Sequence, residues 1–178
     1  MKLTAGCRIP NLTFTTDKHE NVQLYDRLDK KTILWAVRFI GCTICRYDIH
    51  QLAVNYQAIQ DKGYQVFVVL QSDIEHIRND LKDVELPFEI ISDDQLKIYH
   101  ELEIAPAIDK QQLKSDREKY EDKVAKAREL SFVHGHNEGD LLQLPAVFLI
   151  DTDGTVLYAH YGTNIVDLPT MEELLELL

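Results

Sequence analysis

The chain has 178 residues, a length that suits one domain with a sizeable core. Apolar residues make up 45% and charged residues 28%, the ordinary balance of a globular protein. The formal charge of −11 has the wrong sign for neutralising phosphate, which excludes nucleic-acid binding as a main role and disfavours adsorption to anionic membrane.

Residues 1–30 read as short strands and turns. Leu12-Thr13-Phe14-Thr15 and Val22-Gln23-Leu24 alternate apolar and polar at strand period. Thr32 to Ile40 is nearly all apolar, which predicts a central strand buried on both faces and ended by Gly41. Ile49, Leu52, Ala53, Tyr56 and Ile59 keep helical spacing, so a helix follows, with Gly63 as its C-terminal cap. Tyr64 to Leu70 is the next buried strand. Ser72 reads as the N-cap of a helix through Ile74, Ile77 and Leu81. Phe88 to Ile91 is a further strand. Strand, helix, strand, helix, strand implies a parallel α/β core.

Residues 101–142 break the rhythm. Lys110 to Leu130 is densely charged, with Leu113, Tyr120, Val124 and Ala127 at helical spacing. It reads as one solvated helix in an insertion packed on the rim, with a dimer contact or a lid over a site as the alternative. His134 to Asp140 is a loop. Ala146–Ile150 and Thr155–His160 flank Asp151-Thr152-Asp153-Gly154, a hairpin signal. Met171 to Leu178 is a terminal helix capped by Thr170. The longest apolar run, Leu144 to Ile150, falls far short of the roughly 20 residues that cross a bilayer. The opening MKLTAGCRIPN has no apolar signal segment, so the expected location is a reducing cytoplasm.

Phe39-Ile40-Gly41-Cys42-Thr43-Ile44-Cys45-Arg46 holds two of the three cysteines. Such a pair in a cytosolic chain points to catalysis or metal rather than to a staple. At the junction of strand and helix, the Cys42 sulfur faces free N–H groups and the positive end of the helix. Both favour the thiolate, which at an ordinary pKa of about 8.5 is a few per cent of the thiol at neutral pH. Arg46 or Arg38 would add to this. Cys45, one turn on, suits a resolving thiol that closes an internal disulfide.

This segment resembles the active site of thioredoxin-fold proteins, and most of all the peroxiredoxin-like branch of the alkyl hydroperoxide reductase/thiol-specific antioxidant (AhpC/TSA) family. Gln143-Leu144-Pro145-Ala146-Val147-Phe148-Leu149-Ile150-Asp151-Thr152-Asp153-Gly154 resembles that family's stretch after the insertion, and Gly6 to Phe14 resembles its start, with Cys7 at a variable position. The resemblance implies one thioredoxin-like α/β domain over residues 1–178, a central mixed sheet flanked by helices, with a helical insertion at about 101–142 before the final hairpin. It implies that Pro145 is a cis-proline facing the cysteine pair, leaving the Leu144 backbone to dock an extended partner. It also implies reduction of peroxides or protein disulfides without metal or organic cofactor, and a thioredoxin-like or other dithiol reductant. The family's Pro-x-x-x-Thr-x-x-Cys pattern is not kept. Aligned on Cys45, Arg38 replaces Pro and Cys42 replaces Thr; aligned on Cys42, Phe39 replaces Thr.

The rival reading is a non-catalytic zinc or interaction module. Zinc ordinarily takes four ligands, and beyond the pair only His50 or His134 and His136 stand as candidates. Cys7 reads as a small buried residue, with a second resolving thiol as the alternative. Arg38 inside an apolar run requires a partner. Thr43 either caps the helix or offers its hydroxyl to the site.

Overall fold

Alternation at Thr13–Thr16 produces a short strand, β1, paired antiparallel with the two-residue β2 at Val22–Gln23. The computed structural model describes residues 1–178. A 3₁₀ turn at Leu24–Arg27 leads to β3, Lys31–Ala36. Helices α1 (Thr43–Val54) and α2 (Tyr56–Asp61) precede β4, Tyr64–Leu70. Helix α3 (Ile74–Asp80) leads to β5 (Glu89–Ser92), and α4 (Lys97–Glu101) follows. Two further helices, α5 (Lys110–Leu113) and α6 (Arg117–Glu129), separate α4 from β6, Ala146–Ile150. Strand β7 (Val156–Tyr161) and α7 (Met171–Leu177) close the chain.

The strands form one sheet in the order β2-β1-β5-β4-β3-β6-β7. Strands β3, β4 and β5 run parallel, as the alternating pattern demands, and the outer pairings are antiparallel, so the sheet is mixed. Successive residues of β3 point to opposite faces: Ile33 and Trp35 into one apolar cluster, Leu34 and Ala36 into the other. The first cluster lies under α1, α3 and α7 and contains both Cys42 and Cys45. The second is closed by the N-terminal segment and α4. Trp35 is fully buried core. No helix is long and apolar enough to cross a membrane.

Four boundaries differ from the sequence reading. The central strand stops at Ala36 instead of Ile40. Residues 37–41 stay buried as a loop whose polar groups find other partners: the Val37 N–H donates to Val69 O (3.1 Å) and the Ile40 N–H to Ser72 Oγ (2.8 Å). Ser72 is thereby occupied, and Asp73 caps α3 instead by accepting from the Glu75 N–H. The first long helix breaks at Asn55, whose side-chain amide donates to the Gln51 carbonyl and competes with the helical ladder. The charged helix over 110–130 is two helices, because Asp116 ends the connection by capping α6 through the Lys119 N–H. Helix α4 has no counterpart in the sequence reading: the Asp93 carboxylate accepts from the N–H groups of Lys97, Ile98 and Tyr99. The cap at Thr170 is a full capping box with Glu173, and Gly63 follows α2 at φ +83°.

Candidate active site

The loop between β3 and α1 is held from three sides. Tyr99, fully buried, donates its hydroxyl to the carbonyls of Val37 and Val69. Ser72 holds Ile40, and the Cys42 N–H donates to Phe39 O at 3.1 Å. The chain therefore enters α1 along a fixed path, with Cys42 as N-cap residue at φ −75°, ψ 119°. An N-cap side chain accepts from the free N–H groups of the first turn, and here that acceptor is sulfur. Cys42 Sγ accepts from the Cys45 N–H at 3.4 Å. It also receives the Cys45 thiol at 2.6 Å and Arg38 Nη2 at 3.2 Å. The two cysteines are free thiols.

Three donors on one sulfur determine its acidity. Burial works hardest on Cys42 and alone would push the thiol up, but it is outweighed. The hydrogen bond from Cys45, the charge of Arg38 and the guanidinium and backbone hydrogen bonds together lower its pKa to about 6. Cys45 moves the other way: burial and the neighbouring Cys42 push its thiol well up, so it keeps its proton. Arg38 is opposed by burial but held protonated by the two cysteines. Its Nη1 donates to Leu141 O at 2.8 Å, and its guanidinium lies 5.0 Å from the Phe39 ring. The charge inside the apolar run thus has its partner, and the partner is Cys42.

A cleft of about 390 Å³ opens beside the sulfur. Arg38, Cys42, Thr43 and Ile44 form its floor. Tyr120, Val124 and Arg128 from α6 form one wall, and Phe132, Val133 and His134 form the other. A larger cleft of about 580 Å³ around His160 and Asp167 is lined by no cysteine. Helix α6 is fastened to α1 by a shielded ion pair between Lys123 and Asp48. The loop after α6 is fastened to the site itself. The Gly135 N–H donates to Gly41 O at 2.8 Å, and His134 meets the Phe39 ring edge-on at 5.9 Å. Glu138 accepts from the Asp73 N–H and pairs with His76, and Asp140 exchanges hydrogen bonds with the Gln71 side chain. At Gly41 a Cβ atom would lie 2.5 Å from the His136 carbonyl oxygen, so only glycine lets the loop approach this closely.

Of the residues singled out in the sequence, Arg38, Cys42, Thr43 and Cys45 come together. Thr43 lines the cleft and its hydroxyl caps nothing, since Cys42 fills that role. Arg46 lies over the Phe132 ring at 5.5 Å and bonds to neither sulfur. Cys7 packs against the opposite face of the sheet and accepts from the Thr4 N–H at 3.4 Å. Leu144 shares the core cluster with both cysteines but is buried, and its carbonyl accepts from the Gln143 side chain. The Leu144–Pro145 peptide is trans, not the cis bond expected. Pro145 is buried, its ring against Gly162, whose N–H donates to the Pro145 carbonyl at 2.8 Å. No group of three or more His, Cys, Asp or Glu side chains is placed to hold a metal ion; His50 is spent on an edge-on contact with Phe132. The contributions of Arg128, Phe132 and His134 to the cleft went unread, although Tyr120, Val124 and Arg128 recur every fourth residue and so share one face of α6.

The architecture has close counterparts. A yeast mitochondrial 1-Cys peroxiredoxin superposes with a TM-score of 0.70 at 14% identity, covering 97% of this chain and 73% of its own. A peroxiredoxin-like protein from Aquifex aeolicus gives 0.67 at 16%, with 100% and 90% covered. A putative thiol:disulfide interchange protein DsbE from Chlorobium tepidum gives 0.63 at 18%, with 98% and 94% covered. At these identities the likeness establishes the thioredoxin-type fold. No curated protein matches the chain in sequence. The sequence pattern of the AhpC/TSA family, however, matches residues 5–159, and the chain belongs to that family of thiol-dependent oxidoreductases.

Proposed function

We propose that the protein is a thiol peroxidase in which Cys42 is the nucleophile and Cys45 the resolving thiol. The Cys42 thiolate attacks the terminal oxygen of a hydroperoxide. The O–O bond breaks, the hydroxyl stays on sulfur as a sulfenic acid, and the alkoxide leaves as an alcohol with a proton from water. Cys45 then attacks Cys42 Sγ; the hydroxyl leaves with the Cys45 proton as water, and a disulfide remains. A reduced dithiol of thioredoxin type returns both sulfurs to thiols and is itself oxidised to a disulfide. No metal or organic cofactor enters any step. The observation that carries this reading is the Cys42 sulfur with its three donors, facing a cleft.

Arg38, one of the two arginines the sequence offered for this place, serves as the cation beside the thiolate. Thr43 has a hydroxyl free to hold the peroxide. A peroxide is favoured over a protein disulfide by the surroundings. The cleft is walled by α6 and its following loop, which suits a small molecule. The buried Leu144 and Pro145 present little to an extended polypeptide.

The deciding experiment compares peroxide consumption driven by reduced thioredoxin with reduction of insulin disulfides. The expected result is faster peroxide turnover, lost in Cys42→Ser. Insulin reduction with no peroxide turnover would make the protein a disulfide reductase, and full activity in Cys42→Ser would move the nucleophile to Cys45.

A further inference from the structure

The seam of α6 that faces Cys42 changes character along its length. Tyr120 and Val124 are apolar, and Arg128, two turns beyond Tyr120 on the same face, is a cation. Eight residues of helix span roughly 12 Å, the length of a medium-sized organic molecule. On the opposite wall Phe132 and Val133 are apolar as well, beside His134. Hydrogen peroxide gains little from such walls, whereas a hydrocarbon body gains from every contact it buries.

Arg128 stands apart from the other six arginines. Arg8, Arg27, Arg38, Arg78 and Arg117 each donate to a protein oxygen or to the Cys42 sulfur, and Arg46 lies on an aromatic ring. Arg128 has neither kind of partner, although it sits on the cleft wall of a chain whose formal charge is −11. The other cation of the cleft, Arg38, is already committed to Cys42 and to the Leu141 carbonyl. A site with the apolar side chains of Tyr120, Val124, Phe132 and Val133 on its walls, an activated sulfur at its floor and one free guanidinium is complementary to an amphipathic anion.

We propose that the cleft selects organic hydroperoxides bearing a carboxylate on an apolar body, and that Arg128 binds the carboxylate. This rests on the peroxidase reading above. The body lies along Tyr120, Val124 and Phe132, and the peroxide reaches Cys42. The sulfur takes the terminal oxygen, giving up two electrons, and the product is the corresponding hydroxy acid. Because Arg128 is exposed, its contribution is that of a screened pair.

The test compares kcat/KM for the hydroperoxide of linoleic acid with that for the hydroperoxide of its methyl ester. The acid is expected to be favoured by about three- to fivefold, the worth of one solvent-exposed ion pair. That ratio should fall to near one in Arg128→Gln, persist in Arg128→Lys and in the surface control Arg117→Gln, and vanish in about 1 M salt, where screening acts within roughly 3 Å. Equal rates for acid and ester in the natural protein, or a ratio untouched by Arg128→Gln, overturn the proposal. A second measurement is independent of turnover: octanoate, and not octanamide, should slow alkylation of Cys42 by iodoacetamide, and Arg128→Gln should abolish the difference. Equal protection by the two probes also refutes the assignment. Failure to reduce either hydroperoxide, with octanoate protection intact, refutes the peroxidase reading and leaves the anion site standing.

Discussion

The Cys45 thiol directs its proton at the Cys42 sulfur across 2.6 Å, one helical turn away. Two chemically identical side chains are thereby driven in opposite directions, one toward thiolate and one toward thiol. The hydrogen bond from Cys45 is the largest influence opposing burial at Cys42. Cys45→Ala should therefore raise the Cys42 pKa above 6, and Cys45→Ser, which keeps a donor, should raise it less. An ultraviolet titration of the thiolate reads both. In either variant the sulfenic acid has no partner, so it should accumulate under stoichiometric peroxide and be trapped by a dimedone-type reagent. A midpoint that stays put in Cys45→Ala would show that the hydrogen bond is not what acidifies Cys42.

The pH dependence follows from the same shift. The reactive form of Cys42 is the deprotonated one, so the rate of its reaction with iodoacetamide should rise with pH through about 6 and level off above. Arg38→Met removes the cation and one donor from the sulfur, and the midpoint should move up by about one unit or more. At neutral pH a shift of one unit would cut the rate about twofold, and a larger shift correspondingly more. Arg38→Lys should recover only part of the loss, because a single ammonium does not reproduce the guanidinium fork that reaches both Cys42 and Leu141.

Gly41→Ala tests the fastening of the loop over the cleft. A Cβ at this position meets backbone atoms of His136 at 2.5 and 2.8 Å, and backbone cannot give way as a flexible side chain would. The loop from Phe132 to Leu141 should lift. Faster amide exchange in that segment and faster alkylation of Cys42 are expected, with little change in the far half of the sheet. Exchange that accelerates uniformly would mean general destabilisation instead.

Lys123→Met breaks the ion pair that joins α6 to α1. The two side chains are only 14% and 8% exposed, and removing one partner leaves Asp48 buried without its cation. Burial already pushes the Asp48 carboxyl up, against the pull of Lys123, so the orphaned acid should take a proton. The cost should be about 3 kcal/mol, which for a chain of this size lowers Tm by roughly 6–12 °C. Replacing both residues, Asp48→Leu with Lys123→Met, should recover most of it. A single variant as stable as the natural protein would show that the pair contributes nothing to holding the cleft wall.

The placement of the candidate site was legible because it is local. Cys42, Thr43 and Cys45 lie within four residues, and an apolar run followed by a helical pattern places them at a helix start without long-range knowledge. Arg38 was recognisable as a charge in want of a partner, but which of two arginines would face the sulfur depends on how residues 37–41 leave the sheet. That turn is decided by Tyr99 and Ser72, distant residues with no motif to mark them. The cleft walls were harder still. Phe132, His134 and Arg128 reach the sulfur only because α6 docks on α1 and its following loop docks on Gly41, and neither contact has a signature in the order of residues. The trans Leu144–Pro145 bond departs from what the resemblance implied; a proline at the head of a strand is compatible with either isomer, so the bare sequence did not discriminate between them.

Cys45 is 2% exposed and lines no part of the cleft, whereas Cys42, itself only 1% exposed, belongs to the cleft lining. In the proposed cycle, a reductant that enters by the cleft would meet the same sulfur of the disulfide that the peroxide had met. On that proposal the two co-substrates use one cleft and take turns in it. Steady-state kinetics should then show double-displacement behaviour, with parallel lines in reciprocal plots, and each co-substrate in excess should inhibit by competing for the wrong oxidation state.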